Sequence, residues 1–140
     1  MKIQKVVIIG SGTMGSGIAA HLCNANIPVV LLDLKTEIAE KAKEKILKSR
    51  PPLLFESSKI QSLKIGNISD NFDNVADADW IIEAVVERIN IKHEIYEKIL
   101  KARKKESVIS SNTSTIPLKI LSQKMNNTDK KDFCITHFFN

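Results

Sequence analysis

The sequence predicts an α/β fold, a doubly wound parallel sheet in three layers with helices on both faces. Short apolar blocks alternate with longer stretches of helical periodicity, which is the pattern of buried parallel strands joined by crossover helices. The chain has 140 residues, of which 43% are hydrophobic, and this is the size of one domain with its own core. We therefore expect a single domain over residues 1–140.

The first half of the chain contains three predicted strands and two predicted helices. The strands are Val6–Ile9, Val29–Leu32 and Leu63–Ile68. The helices are Met14–Asn24 and Thr36–Lys48. Small residues in the first helix permit close packing on the sheet. Thr36 is the expected N-cap of the second helix, whose inner face should carry Ile38, Ala42 and Ile46.

The second half repeats this alternation. Its strands are Trp80–Val86, Val108–Ser111 and Phe133–Thr136, and its helices are Asn90–Ala102 and Pro117–Met125, the latter introduced by Thr115. The inner stripe of the longer helix is expected to be Ile91, Ile95, Ile99 and Leu100. Glu94 and Lys98 have the i,i+4 spacing of an ion pair. Because crossovers are right-handed, two βαβαβ halves predict a ligand crevice at the carboxyl ends of the strands.

A glycine-rich turn follows the first strand and opens the first helix. Its residues are Gly10, Ser11, Gly12, Thr13, Met14 and Gly15, in the pattern GxGxxG. The first glycine permits a tight turn, the second lets the backbone approach a diphosphate, and the third lets the helix lie close to the strand. The free amides of the helix N-terminus would then hold the diphosphate. This order of elements predicts a dinucleotide-binding domain of the Rossmann type.

Asp33 ends the second strand, about 20 residues beyond the glycines, where a carboxylate accepts hydrogen bonds from the adenosine ribose. It could instead merely end a strand at a turn. A carboxylate at this position repels a 2′-phosphate, and neither Leu34 nor Lys35 is an arginine that would hold one, although Lys35 is a cation. NAD is therefore the predicted cofactor, in preference to NADP.

Three further polar stretches end the fourth, fifth and sixth strands: IIEAVVER, SSNTST and THFFN. They should bring Glu87, Asn112, Ser114 and His137 to the part of the crevice that receives the nicotinamide half of the cofactor. An ordinary imidazole titrates near pH 6.5, so His137 could take a proton from an alcohol while a hydride leaves its carbon. Ser114 could hydrogen-bond the same oxygen.

Each of these stretches also has a purely structural interpretation. A cluster of Ser, Asn and Thr before Pro117 is commonly a helix cap. A histidine that ends an apolar strand is often structural. Glu83 and Glu87 could be solvated or paired with Lys92. These interpretations explain each stretch separately, but they do not explain why all three fall at the same edge of the predicted sheet.

Together the stretches resemble the 3-hydroxyacyl-CoA dehydrogenase family over almost the whole chain. The matching segments are VVIIGSGTMGSGIA, the acid after VVLLD, IIEAVVE, SSNTST and HFFN, in that order. PPLL, after the second helix, is more like the dehydrogenase part of the larger fused enzymes of fatty-acid oxidation. The resemblance implies NAD-dependent oxidation of a 3-hydroxyacyl-CoA to the 3-ketoacyl-CoA, as in β-oxidation.

The resemblance also implies a role for each matching position. His137 corresponds to the catalytic base, and Ser114 corresponds to a residue close to both the nicotinamide and the substrate oxygen, so both would also contact substrate. The implied cofactor contacts are Gly10 through Gly15, Asp33, Glu87, Lys92, Ser114 and Asn140. We carry over no CoA ligand from the segment Leu53–Ile68, which differs from that of the single-function enzymes.

The sequence departs from the family pattern at its end, because Asn140 falls inside the HFFNP motif. The family's histidine-orienting glutamate and its helical substrate and dimerisation domain follow that motif, so we expect a C-terminally truncated domain. A separate C-terminal domain, or a homodimer formed through one, is the expected partner. An apolar patch around Phe133, Phe138 and Phe139 could then be exposed. The alternatives are a non-catalytic NAD-binding remnant of a split gene and a structural protein that kept the fold.

Composition limits the other classes of partner. The net charge of +5 suits an acyl-CoA thioester, whereas 5% aromatic residues are too few to form a stacking platform for nucleic acid. Cys23 and Cys134 match no metal-ligand spacing, so we expect no metal and a reduced compartment. No apolar stretch approaches the roughly 20 residues of a membrane span. A cytoplasmic location is therefore expected.

Overall fold

Six parallel strands form one sheet in a computed structural model that describes all 140 residues. The strands are β1 (Val6–Ile9), β2 (Val29–Asp33), β3 (Leu63–Asn67), β4 (Trp80–Glu83), β5 (Val108–Ser111) and β6 (Phe133–Ile135). The helices are α1 (Thr13–Asn24), α2 (Thr36–Lys48), α3 (Ile68–Asn71), α4 (Ile89–Ala102), α5 (Leu118–Leu121) and α6 (Asn127–Lys130), with 3₁₀ turns at Ser57–Ser62 and Phe72–Asp77. None of these helices has the length and apolar character needed to cross a membrane.

The strand order is β3-β2-β1-β4-β5-β6, so the chain builds outward from β1 in one direction and then returns to build outward from β4 in the other. The predicted doubly wound sheet is confirmed. Ile9, at the end of β1, lies beside Leu32 on one side and Glu83 on the other. The order of the sheet reverses between β1 and β4, and a ligand crevice forms where the loops beyond these strands diverge.

Alternate residues of β1 face two separate cores, and all four are fully buried. Val6 and Ile8 pack with residues of α1 and α2 on one face of the sheet. Val7 and Ile9 pack with residues of α4 and α5 on the other face. Because a β-strand side chain points to alternate faces, this division gives the three layers that the sequence predicts.

The buried faces of α2 and α4 differ from the predicted stripes. In α2 the buried positions are Ala39, Ala42 and Ile46, while Ile38 is 41% exposed. In α4 they are Lys92, Ile95, Tyr96 and Ile99, while Ile91 and Leu100 are only half-buried. In α4 the buried face shifts because Lys92 and Tyr96 are buried against Glu83, and an apolar periodicity does not count such polar contacts. In α2 the small residue Ala39 is buried in place of Ile38. The ion pair on α4 joins Glu97 to Lys101 at 3.1 Å, and the predicted pair of Glu94 with Lys98 does not form.

Several element boundaries also differ, and the differences exceed one residue at β4 and α5. β4 ends at Glu83 instead of Val86, because both neighbouring strands have their last paired residue there, Ile9 and Ser111. The N-cap of α2 is Lys35 instead of Thr36, and α5 begins after Pro117 and covers only four residues. The Thr36 hydroxyl accepts a hydrogen bond from Asn67, so it serves a tertiary contact and not a cap.

Candidate active site

Two glycines shape the turn between β1 and α1. Gly10 has a φ of +106°, and a Cβ there would lie 2.4 Å from the carbonyl oxygen of Ala84. A Cβ at Gly15 would lie 1.9 Å from the carbonyl oxygen of Gly10. Any side chain at either position would therefore push the helix or the turn away from the sheet. The tasks predicted for these two glycines match this geometry.

The N-terminus of α1 is open. Gly12 is the N-cap residue, no side chain caps it, and a Cβ at Gly12 would meet nothing within 4 Å. The amides of Thr13, Met14 and Gly15 donate to no acceptor within the protein. The unpaired amides and the dipole of this 12-residue helix together favour an anion. The residues present therefore fit the diphosphate of a dinucleotide.

The Asp33 carboxylate is held against the glycine turn. Its Oδ2 accepts hydrogen bonds from the Ser11 amide at 2.8 Å and from the Ser11 hydroxyl at 2.6 Å. Its Oδ1 accepts one from the Leu34 amide at 2.7 Å. A carboxylate has about four acceptor positions, so one remains for a ligand. Ser11 was predicted only as part of the turn, but its side chain also fixes the acid.

A cavity of about 860 Å³ opens beside Asp33 and the glycine turn. The side chains of Leu34, Ile68 and Ile91 contribute to its apolar walls, and Lys98 lies at its border. A cleft with an apolar wall and one fixed carboxylate suits a flat base attached to a ribose. The half-buried position of Ile91, which the predicted helix stripe did not give, is explained by this cleft.

A second cavity, of about 330 Å³, adjoins the other side of the glycine turn. The three polar stretches predicted to converge do so here. Its lining residues are Gly12, Thr13, Met14, Glu83, Ala84, Val85, Val86, Glu87, Lys92, Asn112, Ser114 and His137. Gly12 and Thr13 line both cavities, so the cavities meet at the open end of α1. Asn140 lines neither cavity, and its role as a cofactor contact stays a prediction.

His137 is exposed, and no group of this chain hydrogen-bonds its ring nitrogens. Its ring lies edge-on to Phe139, with 4.7 Å between centroids. The backbone around it is fixed by neighbours. The Asn112 side-chain oxygen accepts a hydrogen bond from the Phe138 amide at 2.9 Å, and the Thr136 amide donates to the Ser111 carbonyl at 3.0 Å. Asn112 is thus a positioning residue for the segment that carries the histidine.

Glu83 forms a fully buried polar centre beneath this cavity. Its Oε2 accepts hydrogen bonds from Lys92 Nζ at 2.7 Å and from the Val85 amide at 2.9 Å. Its Oε1 accepts from the Tyr96 hydroxyl at 2.5 Å and from the Ser111 hydroxyl at 2.7 Å. Burial, followed by the negative charge of Glu83, raises the pKa of Tyr96 well above its ordinary value. The Tyr96 hydroxyl therefore stays protonated throughout the physiological pH range and donates a hydrogen bond to Glu83.

Lys92 links Glu83 to a second carboxylate, Glu87. Lys92 Nζ lies 2.9 Å from Glu87 Oε1, while Glu87 Oε2 accepts hydrogen bonds from the hydroxyls of Thr113 and Thr115. Partial burial alone would raise the pKa of Glu87, but the hydrogen bonds from Lys92 and Thr113 outweigh it and lower the pKa below its ordinary value. Of the alternatives left open by the sequence, pairing with Lys92 is the one that occurs.

The SSNTST stretch both stabilises a turn and contributes a side chain to the smaller cavity. The Thr113 hydroxyl accepts a hydrogen bond from the Ile116 amide at 3.1 Å, which closes the turn before Pro117. Ser114, next to it, is exposed and lines the smaller cavity. The sequence interpretation missed Tyr96 and Thr113, and it gave Glu83 only as a solvated residue or a partner of Lys92, not as a buried centre that accepts four hydrogen bonds. A glutamate inside an apolar strand block, IIE, was the available signal for Glu83.

The predicted apolar patch is reduced to one residue. Phe133 is buried and packs edge-on against Tyr96, with 5.1 Å between ring centroids. Phe138 is half-buried near Trp80. Only Phe139 is exposed, at 86%. The correction arises because β6 pairs with β5 and so turns Phe133 into the core on the α4 side.

The open helix N-terminus, the fixed acid of β2 and the sheet order together define a dinucleotide-binding domain. The model of the 3-hydroxyacyl-CoA dehydrogenase NAD-binding domain matches residues 5–140. The chain therefore belongs to the 3-hydroxyacyl-CoA dehydrogenase family, as its NAD-binding domain, and the prediction of NAD as the cofactor is confirmed at the level of the family.

Similar proteins are named as dehydrogenases of 3-hydroxyacyl-CoA or as enzymes of fatty acid oxidation. A putative fatty acid oxidation complex trifunctional enzyme of Rickettsia felis is 43% identical over 99% of this chain and 20% of its own length. A probable 3-hydroxyacyl-CoA dehydrogenase of Deinococcus radiodurans is 37% identical over 100% of this chain and 42% of its own. The solved 3-hydroxybutyryl-CoA dehydrogenase of Escherichia coli superimposes with a TM-score of 0.84 at 28% identity, covering 100% of this chain and 30% of the other. The chain thus spans less than half the length of these relatives.

Proposed function

We propose that this chain supplies the NAD-binding domain for the oxidation of a 3-hydroxyacyl-CoA to the 3-ketoacyl-CoA, a step of fatty-acid β-oxidation. The observation that carries the proposal is that His137 and Ser114 line the same small cavity as the glycine turn. A general base, a hydroxyl and a diphosphate site are thereby brought to one crevice. The net charge of +5 suits an anionic thioester of this kind.

Each half of the cofactor has residues that suit it. The free amides of Thr13, Met14 and Gly15 would hold the diphosphate, and Asp33 would bind the adenosine ribose. Glu87 and Lys92, which line the smaller cavity, would lie beside the nicotinamide half. We propose Asn140 as a further contact, on the family pattern alone.

The chemistry divides between cofactor and protein. NAD, when bound, would supply the acceptor for the hydride of the substrate C3. His137 takes the proton of the C3 hydroxyl, so that the C3–O bond becomes the ketone, and Ser114 hydrogen-bonds the same oxygen. Asn112 keeps the histidine segment beside the cavity through its bond to the Phe138 amide.

A second candidate function is cofactor binding without turnover. The observation in its favour is that nothing in this chain hydrogen-bonds the His137 ring, so its tautomer and orientation are not fixed. Because the matched relatives are more than twice as long, we propose that a further domain or a second polypeptide orients this histidine and covers the acyl chain. We also propose a reduced, cytoplasmic setting, in keeping with two free cysteines.

The test is to titrate the 140-residue chain with NADH by fluorescence and then to follow NADH loss with acetoacetyl-CoA. Asp33→Ala should weaken NADH binding about tenfold because it removes a ribose acceptor. Asp73→Ala removes an exposed carboxylate away from both cavities and should leave the affinity unchanged. His137→Ala should abolish turnover, and His21→Ala, an exposed histidine on α1, should not affect it.

The outcomes separate the candidates. NADH binding with turnover that depends on His137 supports the dehydrogenase. NADH binding without turnover supports a cofactor module that requires a partner domain, and adding the helical domain of a relative should then restore turnover. If NADH does not bind at all, both candidates are wrong for this chain, and a structural protein that kept the fold is the remaining interpretation.

A further inference from the structure

Two charged residues, Glu83 and Lys92, are buried beside the small cavity. Glu83 and Lys92 are 0% and 1% exposed, and both belong to faces that otherwise pack apolar residues against the sheet. Removing two charges from water costs several kcal/mol per ion, and well-packed apolar residues commonly serve stability as well as a buried pair does. A buried ion pair placed at the lining of a cavity therefore calls for a functional explanation.

The charges at this cavity do not cancel. Both Glu83 oxygens accept hydrogen bonds from donors, four in all, which is the arrangement of an ionised carboxylate. Glu87 is also ionised at neutral pH, because the hydrogen bonds from Lys92 and Thr113 lower its pKa. Lys92 bridges the two carboxylates with a single positive charge. Apart from His137, no other titratable side chain lines the cavity, so its fixed charge is −1.

Only one charge distinguishes the two oxidation states of the cofactor. The nicotinamide ring is a cation in NAD⁺ and neutral in NADH, while the diphosphate and both riboses are the same. The ratio of the two dissociation constants therefore reports the electrostatic potential at the ring. The interaction of the diphosphate with the open end of α1 is the same for both forms and cancels in this ratio. A fixed charge of −1 beside the ring lowers the free energy of the cationic form relative to the neutral form.

We propose that the Glu83–Lys92–Glu87 cluster sets the preference of this site between oxidised and reduced cofactor, favouring the cationic nicotinamide ring. Glu83 acts as a positioning residue, because it holds the ammonium group of Lys92 in place. It also supplies a negative charge, and without that charge Lys92 and Glu87 would leave the cavity with no net charge. This inference rests on the proposed function, because it requires the nicotinamide half to enter the small cavity. It goes beyond it by assigning a role to Glu83, a residue outside the proposed chemical step.

The test measures dissociation constants for NAD⁺ and NADH by calorimetry on the intact 140-residue chain. In Glu83→Gln the ratio of the NAD⁺ constant to the NADH constant should rise about fivefold, the order expected for one charge about 10 Å away in a partly screened site. Glu87→Gln removes the same charge from a residue that is 41% exposed and should shift the ratio in the same direction. Glu97→Gln, on the outer face of α4, is the matched control and should leave the ratio unchanged.

The variants keep the proposal falsifiable. Glutamine at position 83 turns its NH₂ group toward two of the four donors, so this variant could fail to fold, and circular dichroism would reveal that. In that case the ratio of the dissociation constants in Glu87→Gln tests the proposal. An unchanged ratio in a folded variant, or an equal loss of affinity for both forms, would overturn the inference and leave the proposed function intact. If the unaltered chain binds neither form, the proposed function and the inference both fail.

Discussion

Gly15 and Gly17 are two positions apart in α1, yet an added methyl group would have opposite effects at the two. At Gly15 the methyl carbon would lie 1.9 Å from the carbonyl oxygen of Gly10, whereas at Gly17 it would meet nothing within 4 Å. Neither residue has a positive φ, so the difference is one of space and not of backbone conformation. Gly15 is therefore what allows the open end of α1 to lie against the turn.

Gly15→Ala should destabilise the domain by about 3 kcal/mol, because the backbone at Gly10 must move away from the added carbon. Gly17→Ala should stabilise it by about 0.5 kcal/mol, because alanine loses less conformational entropy in a helix. Urea unfolding followed by circular dichroism measures both. Equal midpoints for the two variants would contradict the packing that the structure shows.

At the scale of elements, Asp79 ties together the starts of three strands. Its Oδ2 accepts hydrogen bonds from the amides of Gln4 and Lys5, just before β1, at 2.8 and 3.1 Å. Its backbone carbonyl accepts from the Val108 amide at the start of β5. Lys104 donates to Oδ1, and this bond, followed by that from the Gln4 amide, lowers the pKa of the Asp79 carboxyl.

Asp79→Asn should lower stability at pH 7 by about 1 kcal/mol, because the amide group cannot accept all of these bonds. The folded pKa of Asp79 is lowered, so its contribution is present above the unfolded pKa of about 4 and is lost as pH falls through the folded pKa. The difference between the variant and the original chain should therefore shrink below pH 4. Urea unfolding from pH 7 to pH 2.5 tests this, with exposed Asp73→Asn expected to show little effect at any pH.

At the scale of the whole molecule, the site lies at the end of β1 and β4, where the loops of the two halves of the sheet diverge. The glycine turn after β1 lines both cavities, and the loops after β4 and β5 close the smaller one. One core lies on each face of the sheet, and strands of both halves contribute to both cores. A dinucleotide spanning the two cavities would contact both halves, so its binding should stabilise the domain as a unit.

NADH at 100 times its dissociation constant should stabilise the folded chain by about 2.7 kcal/mol, which raises the Tm by roughly 8 °C for a domain of this size. Differential scanning calorimetry gives the shift directly. At the same NADH concentration, Asp33→Ala should gain only about half as much, because its affinity is about tenfold lower. A Tm that does not respond to NADH would argue against a dinucleotide in this crevice.

The sequence determined the fold class, because each apolar block had to be buried. The glycine pattern also predicted a tight turn between a strand and a closely packed helix. The sequence placed Asp33, Ser114 and His137 correctly at one edge of the sheet, since parallel strands bring their carboxyl ends together. Its apolar periodicity placed Ala42 and Ile46 of α2 and Ile95 and Ile99 of α4 correctly in the core. It misplaced Ile38 and Ile91 there and overlooked Lys92.

Only the tertiary structure decided how the charges pair. Glu83, Lys92 and Glu87 meet because β4, the loop after it and α4 fold onto one another, and the nearby donors Tyr96 and Ser111 come from α4 and β5. The choice of Ser11 as the partner of Asp33 likewise depends on two strands lying side by side. An apolar block must leave water wherever it lies in the fold, so the sequence indicates it directly. An ion pair between separate elements needs two positions whose distance the fold alone sets.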